Sequence, residues 1–132
     1  MRPKFRAWDG AKKEMFKDTF AITESGQVVV VEQEFVTSPP DYVFVDHLVI
    51  MQSTGIKDKN GKEIFEGDIV RQVRTQPTTE NETITGVVTM LEGAWSIVND
   101  NKQLASVLWS ETAENEIIGN VYENKEFLED ME

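Results

Sequence analysis

The chain reads as a mainly β protein: an N-terminal β-meander, then a small five-stranded barrel, then a short C-terminal helix. Three observations predict this. Apolar residues recur in short β-branched or aromatic runs rather than at helical spacing. Gly, Asn, Asp, Ser and Pro punctuate those runs at short intervals. Finally, 132 residues with 39% hydrophobic and 28% charged side chains have ordinary globular composition and enough apolar material for a modest core.

The first run is residues 4–8, closed by Asp9-Gly10; residues 15–22 follow, closed by Glu24-Ser25-Gly26, and then residues 27–35. Asp-Gly and Ser-Gly pairs tolerate the positive φ of tight turns, so these runs form a meander. Thr37-Ser38-Pro39-Pro40-Asp41 cannot continue a central strand, because each proline lacks a ladder donor. Residues 42–52 are a further apolar stretch. This divides the chain into an N-terminal β region, residues 1–50, and a C-terminal barrel region, residues 51–132, which together form one compact unit or two.

Within the second region Asn60-Gly61 is the strongest hairpin signal. Runs at 68–74, 83–91, 94–98, 104–109 and 116–122 supply five strands with brief connections, which suits a closed or nearly closed barrel without free edges. Residues 75–82, containing Pro77, are the longest connection. Asn124 is placed to cap a short helix, with Glu126 near its positive end.

Composition excludes several classes of chemistry. Without cysteine there is no disulfide, no thiolate nucleophile and no Cys-containing zinc site, as suits a reducing compartment. Met1-Arg2-Pro3-Lys4-Phe5-Arg6 is not followed by the apolar core of a secretory signal. The longest aliphatic runs, 28–31 and 48–51, are far short of the ~20 residues that span a bilayer. The expected location is the cytoplasm, with no membrane partner.

A net charge of −11 repels a phosphate backbone, so a nucleic-acid role needs a local basic patch. Residues 1–20 carry six basic and three acidic side chains; residues 110–132 carry one basic and eight acidic ones. Such opposite ends attract, within one chain or between subunits. The run 28–31 also offers apolar side chains to both faces of a strand. A small core, an uncovered face and complementary ends together lead us to expect a homo-oligomer.

Signatures of catalysis fail on inspection. Gly55 is followed by five residues before Gly61-Lys62, and Glu63 stands where a phosphate-binding loop needs Ser or Thr. A calcium loop counted from Asp58 has Lys62 at its fifth position, Glu63 where glycine belongs and Ile69 where the bidentate Glu belongs. His47 is the single histidine, and no nucleophile-elbow pattern surrounds a serine. Glu66 and Asp68, two apart, would share a strand face and could hold a metal; as the entry to a strand, Asp68 instead bonds local backbone N–H groups. We therefore predict no catalytic residue, no metal and no cofactor.

One candidate binding row remains. On a strand Arg2, Lys4, Arg6 and Trp8 share a face, a basic row ending in an indole, which could hold an anion or stack a base. The same row also suits an edge strand guarded by charge, with Trp8 tucked into the core.

Three stretches resemble the YopX family of bacteriophage and prophage proteins. They are Lys4-Phe5-Arg6-Ala7-Trp8-Asp9, the long segment from Met51-Gln52-Ser53-Thr54-Gly55-Ile56 to Phe65-Glu66-Gly67-Asp68-Ile69-Val70, and Ile117-Ile118-Gly119-Asn120-Val121-Tyr122-Glu123-Asn124. The resemblance implies a β-rich protein whose C-terminal part is an SH3-like barrel, and it brings no catalytic residue with it. In the patterned segments Gly55, Asn60, Gly61, Gly67, Asp68, Gly119 and Asn120 read as structural, since turn chemistry accounts for them. The leading expectation is a non-enzymatic phage accessory protein that binds another macromolecule, a protein rather than a nucleic acid. The alternatives are single-stranded nucleic-acid binding through Arg2, Lys4, Arg6 and Trp8, and a metal-dependent enzyme using Glu66 and Asp68.

Overall fold

The computed structural model describes residues 4–16, 20–25, 27–32, 41–45, 47–74 and 82–129. The chain divides into two compact units, Met1–Met51 and Gln52–Glu132, and it is mainly β.

In the first unit β1 (Phe5–Asp9) turns back into β2 (Glu14–Phe16), with Trp8 opposite Met15 and Asp9 opposite Glu14. The turn works differently from the expected Asp-Gly turn. Asp9 Oδ1 accepts the N–H groups of Ala11 at 3.0 Å and Lys12 at 3.1 Å. The left-handed residue is Lys13, at φ 55°, and not Gly10. A carboxylate bonding its own turn thus replaces the conformational freedom expected of glycine.

The expected run 15–22 holds two strands of different sheets, β2 and β3 (Phe20–Ile22). β3 pairs with β4 (Val28–Glu32), and β4 with β5 (Asp41–Val45). The four valines at 28–31 therefore form a central strand, with Val30 flanked by Phe20 and Val43. Residues 37–40 and Gly26, expected as boundary and turn, lie outside the described residues. The stretch 42–52 also proves to be two strands, because β6 (Leu48–Lys57) begins after β5 has ended.

β6 leads into the second unit and forms a hairpin with β7 (Glu63–Phe65). Gly55, at φ 77°, sits where the register shifts between Ser53 and Lys57, so it makes a bulge. In the connecting loop Asp58 is buried, and its Oδ1 accepts the N–H groups of Asn60 and Lys62, each at 2.9 Å. Its Oδ2 accepts the Ile117 N–H at 3.2 Å. Gly61, at φ 83°, closes the turn through its N–H to the Asp58 carbonyl.

Five strands follow: β8 (Asp68–Arg74), β9 (Glu82–Leu91), β10 (Ala94–Asn99), β11 (Leu104–Val107) and β12 (Ala113–Asn120). They match the five runs read from the sequence and form one antiparallel sheet in the order β11-β10-β9-β8-β12. Glu92 (φ 50°) and Gly93 (φ 85°) make the two-residue link from β9 to β10, both left-handed, which matches the twist of the flanking strands.

The register places Val70 beside Gly86 and Ile117, and Val88 beside Ile97. That face carries the core: Ile64, Val70, Val88, Ile97 and Leu108 are fully buried, with Ile56, Trp95 and Ile117 packed on them.

One helical turn, α1 (Glu126–Glu129), follows β12. Asn124 does not direct its side chain to α1 as expected. Its Oδ1 accepts the Asn120 N–H at 3.1 Å. A Cβ on Gly119 would lie 2.6 Å from that oxygen, so the glycine leaves room for the asparagine.

Candidate functional site

The inner face of the five-stranded sheet is not apolar throughout. Along β8, Val70, Gln72 and Arg74 alternate onto one side; across the register Gln72 lies beside Ile84 and Asn115. Gln72 is fully buried, and Ser106 and Asn115 are buried beside it. The Gln72 amide donates to the carbonyls of Val107 and Leu108, both at 3.2 Å, and to Asn115 Oδ1 at 3.0 Å. Asn115 Nδ2 donates to the Leu108 carbonyl at 2.9 Å. Ser106 Oγ donates to Gln72 Oε1 at 2.7 Å and accepts from Arg74 Nη2 at 2.8 Å.

These bonds run from β8 and β12 to β11 and the residue that follows it, so side chains join opposite margins of the curled sheet. Burying so many polar atoms costs little when each is bonded and a great deal when one is not. Beyond Ser106 a cavity of about 250 Å³ opens, lined by Arg74, Thr83, Ile84, Leu104, Ala105 and Ser106. The arrangement presents one cation, held in orientation from behind, above an aliphatic wall.

The residues singled out in the sequence lie elsewhere. Arg2 is outside the described residues, Lys4 is exposed, and Arg6 and Trp8 are only 5% and 8% exposed. The indole at Trp8 therefore offers no open face for a base. His47 Nε2 lies 3.3 Å from Asp9 Oδ1. Burial alone would raise the Asp9 pKa, but the N–H groups of Lys12 and Ala11, with His47, outweigh it and hold the carboxyl below its ordinary value.

Glu66 and Asp68 do not share a strand face: Glu66 lies in the turn between β7 and β8, and Asp68 is the strand-entry residue that the sequence led us to expect. Asp68 is buried and its Oδ2 accepts the Phe65 N–H at 2.8 Å. Gly67, at φ 88°, makes this turn possible. Among the described residues no three His, Cys, Asp or Glu side chains are grouped to hold a metal ion. Asn120 Oδ1 accepts the N–H groups of Tyr122 at 3.0 Å and Glu123 at 2.8 Å, shaping the exit from β12.

Gln72, Ser106 and Asn115 were invisible as a group, since a polar residue on a strand ordinarily faces water. Strand parity is the signal that finds them: each stands two residues from a core residue, Val70, Leu108 or Ile117.

The YopX protein family profile matches residues 4–129. The chain belongs to the YopX family. Among solved structures, this YopX-family chain is similar to YopX from Bacillus subtilis, at a TM-score of 0.65 and 22% identity over 93% of this chain and 95% of that one. It is also similar to a protein from Enterococcus faecalis, at a TM-score of 0.62 and 29% identity over 97% of this chain and 99% of that one. No curated protein matches. Among the described residues no helix is long and apolar enough to cross a membrane.

Proposed function

We propose that this YopX-family protein is a non-catalytic accessory protein of bacteriophages and prophages. In this reading it works in the cytoplasm of the bacterial host and binds another protein through the outer surface of the five-stranded sheet.

The observation that carries the reading is a set of large apolar side chains left in water. Leu91 pairs with Ala94 and Val107 with Ser96, on the side of β10 opposite Ile97 and the core. Leu91 is 42% exposed, Val107 56% and Trp109, two residues further on, 60%. An isolated exposed leucine means little, but a tryptophan beside two aliphatics is the composition of a binding centre. The unit that carries them, Gln52–Glu132, has seven basic and sixteen acidic side chains, a net charge of −9. The partner is therefore a protein with a basic rim around an apolar centre, steered by charge and held by burial.

Affinity capture from host lysate with the wild type and with Trp109→Ala tests this. A basic protein should be retained by the wild type, lost from the variant and released by salt. Repeated capture of nothing above background counts against protein binding, whereas equal capture by both proteins removes this surface from the reading.

A further inference from the structure

The cavity above Arg74 has a chemistry distinct from the outer apolar surface, and the bonds around it define what it can take. A guanidinium has five N–H donors. One, on Nη2, is given to Ser106 Oγ. Ser106 has a single hydroxyl proton, and that proton goes to Gln72 Oε1. Ser106 thus meets Arg74 as an acceptor only, and it has no proton left for a ligand. Gln72 is in turn immobilised by its two amide protons, which are shared among three acceptors. The sequence Gln72, Ser106, Arg74 is a support that fixes the direction of one guanidinium at the edge of a cavity.

A fixed guanidinium is a two-pronged donor matched to a planar anion with two oxygens. A phosphate would bring further oxygens, and apart from the Thr83 hydroxyl the remaining wall, Ile84, Leu104 and Ala105, has no side-chain donor for them. The volume of about 250 Å³ lies below the roughly 300–1,000 Å³ typical of sites for drug-sized ligands. We propose that this cavity binds a carboxylate attached to a short aliphatic group. The two oxygens lie against Arg74 and the aliphatic part against Ile84 and Leu104, while Gln72 and Ser106 act as positioning residues. The same chemistry is found in a free aliphatic acid and in the C-terminal residue of a chain ending in leucine or valine.

The test is titration of the isotopically labelled full chain, followed through its amide resonances. The probes are 4-methylpentanoate, N-acetyl-leucine, and a short peptide ending in leucine, each as the acid and as the corresponding amide. We expect the acids to shift the resonances of Arg74, Ile84, Leu104 and Ser106 in a saturable way and the amides to leave them in place. Binding by the free acids alone assigns a metabolite, and tighter binding of the peptide acid assigns a chain terminus. Arg74→Lys keeps the charge but loses the fork, and should weaken the acids roughly tenfold or more with the spectrum otherwise native. Leu104→Ser, at a half-exposed position, should weaken them without touching the anion's partners. Equal response to acids and amides, absence of a response at millimolar acid, or unchanged affinity in Arg74→Lys overturns the proposal.

Discussion

At Asp58 one carboxylate holds two turns of chain that are far apart in sequence. It ties the β6–β7 loop to Ile117 in β12, across 59 residues. Burial alone would raise its pKa; the N–H groups of Lys62, Ile117 and Asn60, with the charge of Lys62, outweigh it and hold the carboxyl below its ordinary value. A carboxyl whose pKa is lower in the folded state stabilises the fold above its unfolded-state pKa, and this stability is lost as pH falls through the folded-state value. Urea unfolding should therefore show Asp58→Asn destabilised by about 1–3 kcal/mol at neutral pH, since an amide NH₂ must face a backbone donor. The gap to the wild type should narrow as pH falls below the ordinary carboxylate range, where the unfolded chain takes up a proton that the folded carboxyl still resists. A constant gap at all pH values would show that the charge on Asp58 contributes nothing. Glu116 is different in kind: bonds from Lys59 and then Arg71 lower its pKa, but exposed ion pairs of this sort add little stability.

At the scale of the strand, β9 is legible in the sequence, but its tightest point is not. Gly86 has no left-handed φ to justify it, and nothing local marks it as different from the glycines of turns. A Cβ there would lie 2.5 Å from the Val98 carbonyl oxygen and 2.9 Å from Ile97 Cγ2. Neither obstacle is the free end of a flexible side chain, so the β9–β10 ladder itself must move. Gly86→Ala should cost on the order of 1–3 kcal/mol, the usual penalty of overpacking, read as a lower denaturation midpoint with an unchanged denaturant slope. A midpoint equal to that of the wild type would mean that the strands are not this close in solution. The same limit explains which parts of the fold could be read in advance. All five strands β8 to β12 were apparent from local composition. The turn at Asp9 and the side chain of Asn124 were misread, because a polar side chain chooses among nearby N–H groups by geometry that only the folded chain supplies. The cavity above Arg74 was unreadable for a related reason: its lining comes from β8, β9 and β11, and β11 reaches the other two only through the curl of the sheet.

For the whole molecule, the expectation of self-association still follows from charge and apolar surface. Residues 1–20 are net +3 and residues 110–132 net −7, and Trp109 and Val107 leave apolar area in water. Sedimentation equilibrium at moderate salt should give a mass above that of the 15.0 kDa chain, falling as salt is raised. A mass fixed at the monomer value at high protein concentration would end this expectation. The join across the curled sheet has another kind of consequence. A backbone ladder is nearly indifferent to sequence, since almost every residue supplies the same N–H and C=O. The margin near β11 is instead drawn together by Gln72, Ser106, Arg74 and Asn115, so its form is written in four codons. A change at any one of the four leaves a buried partner without its bond, so the width of the cavity beside that margin is a variable that evolution can alter only by changing these side chains in concert.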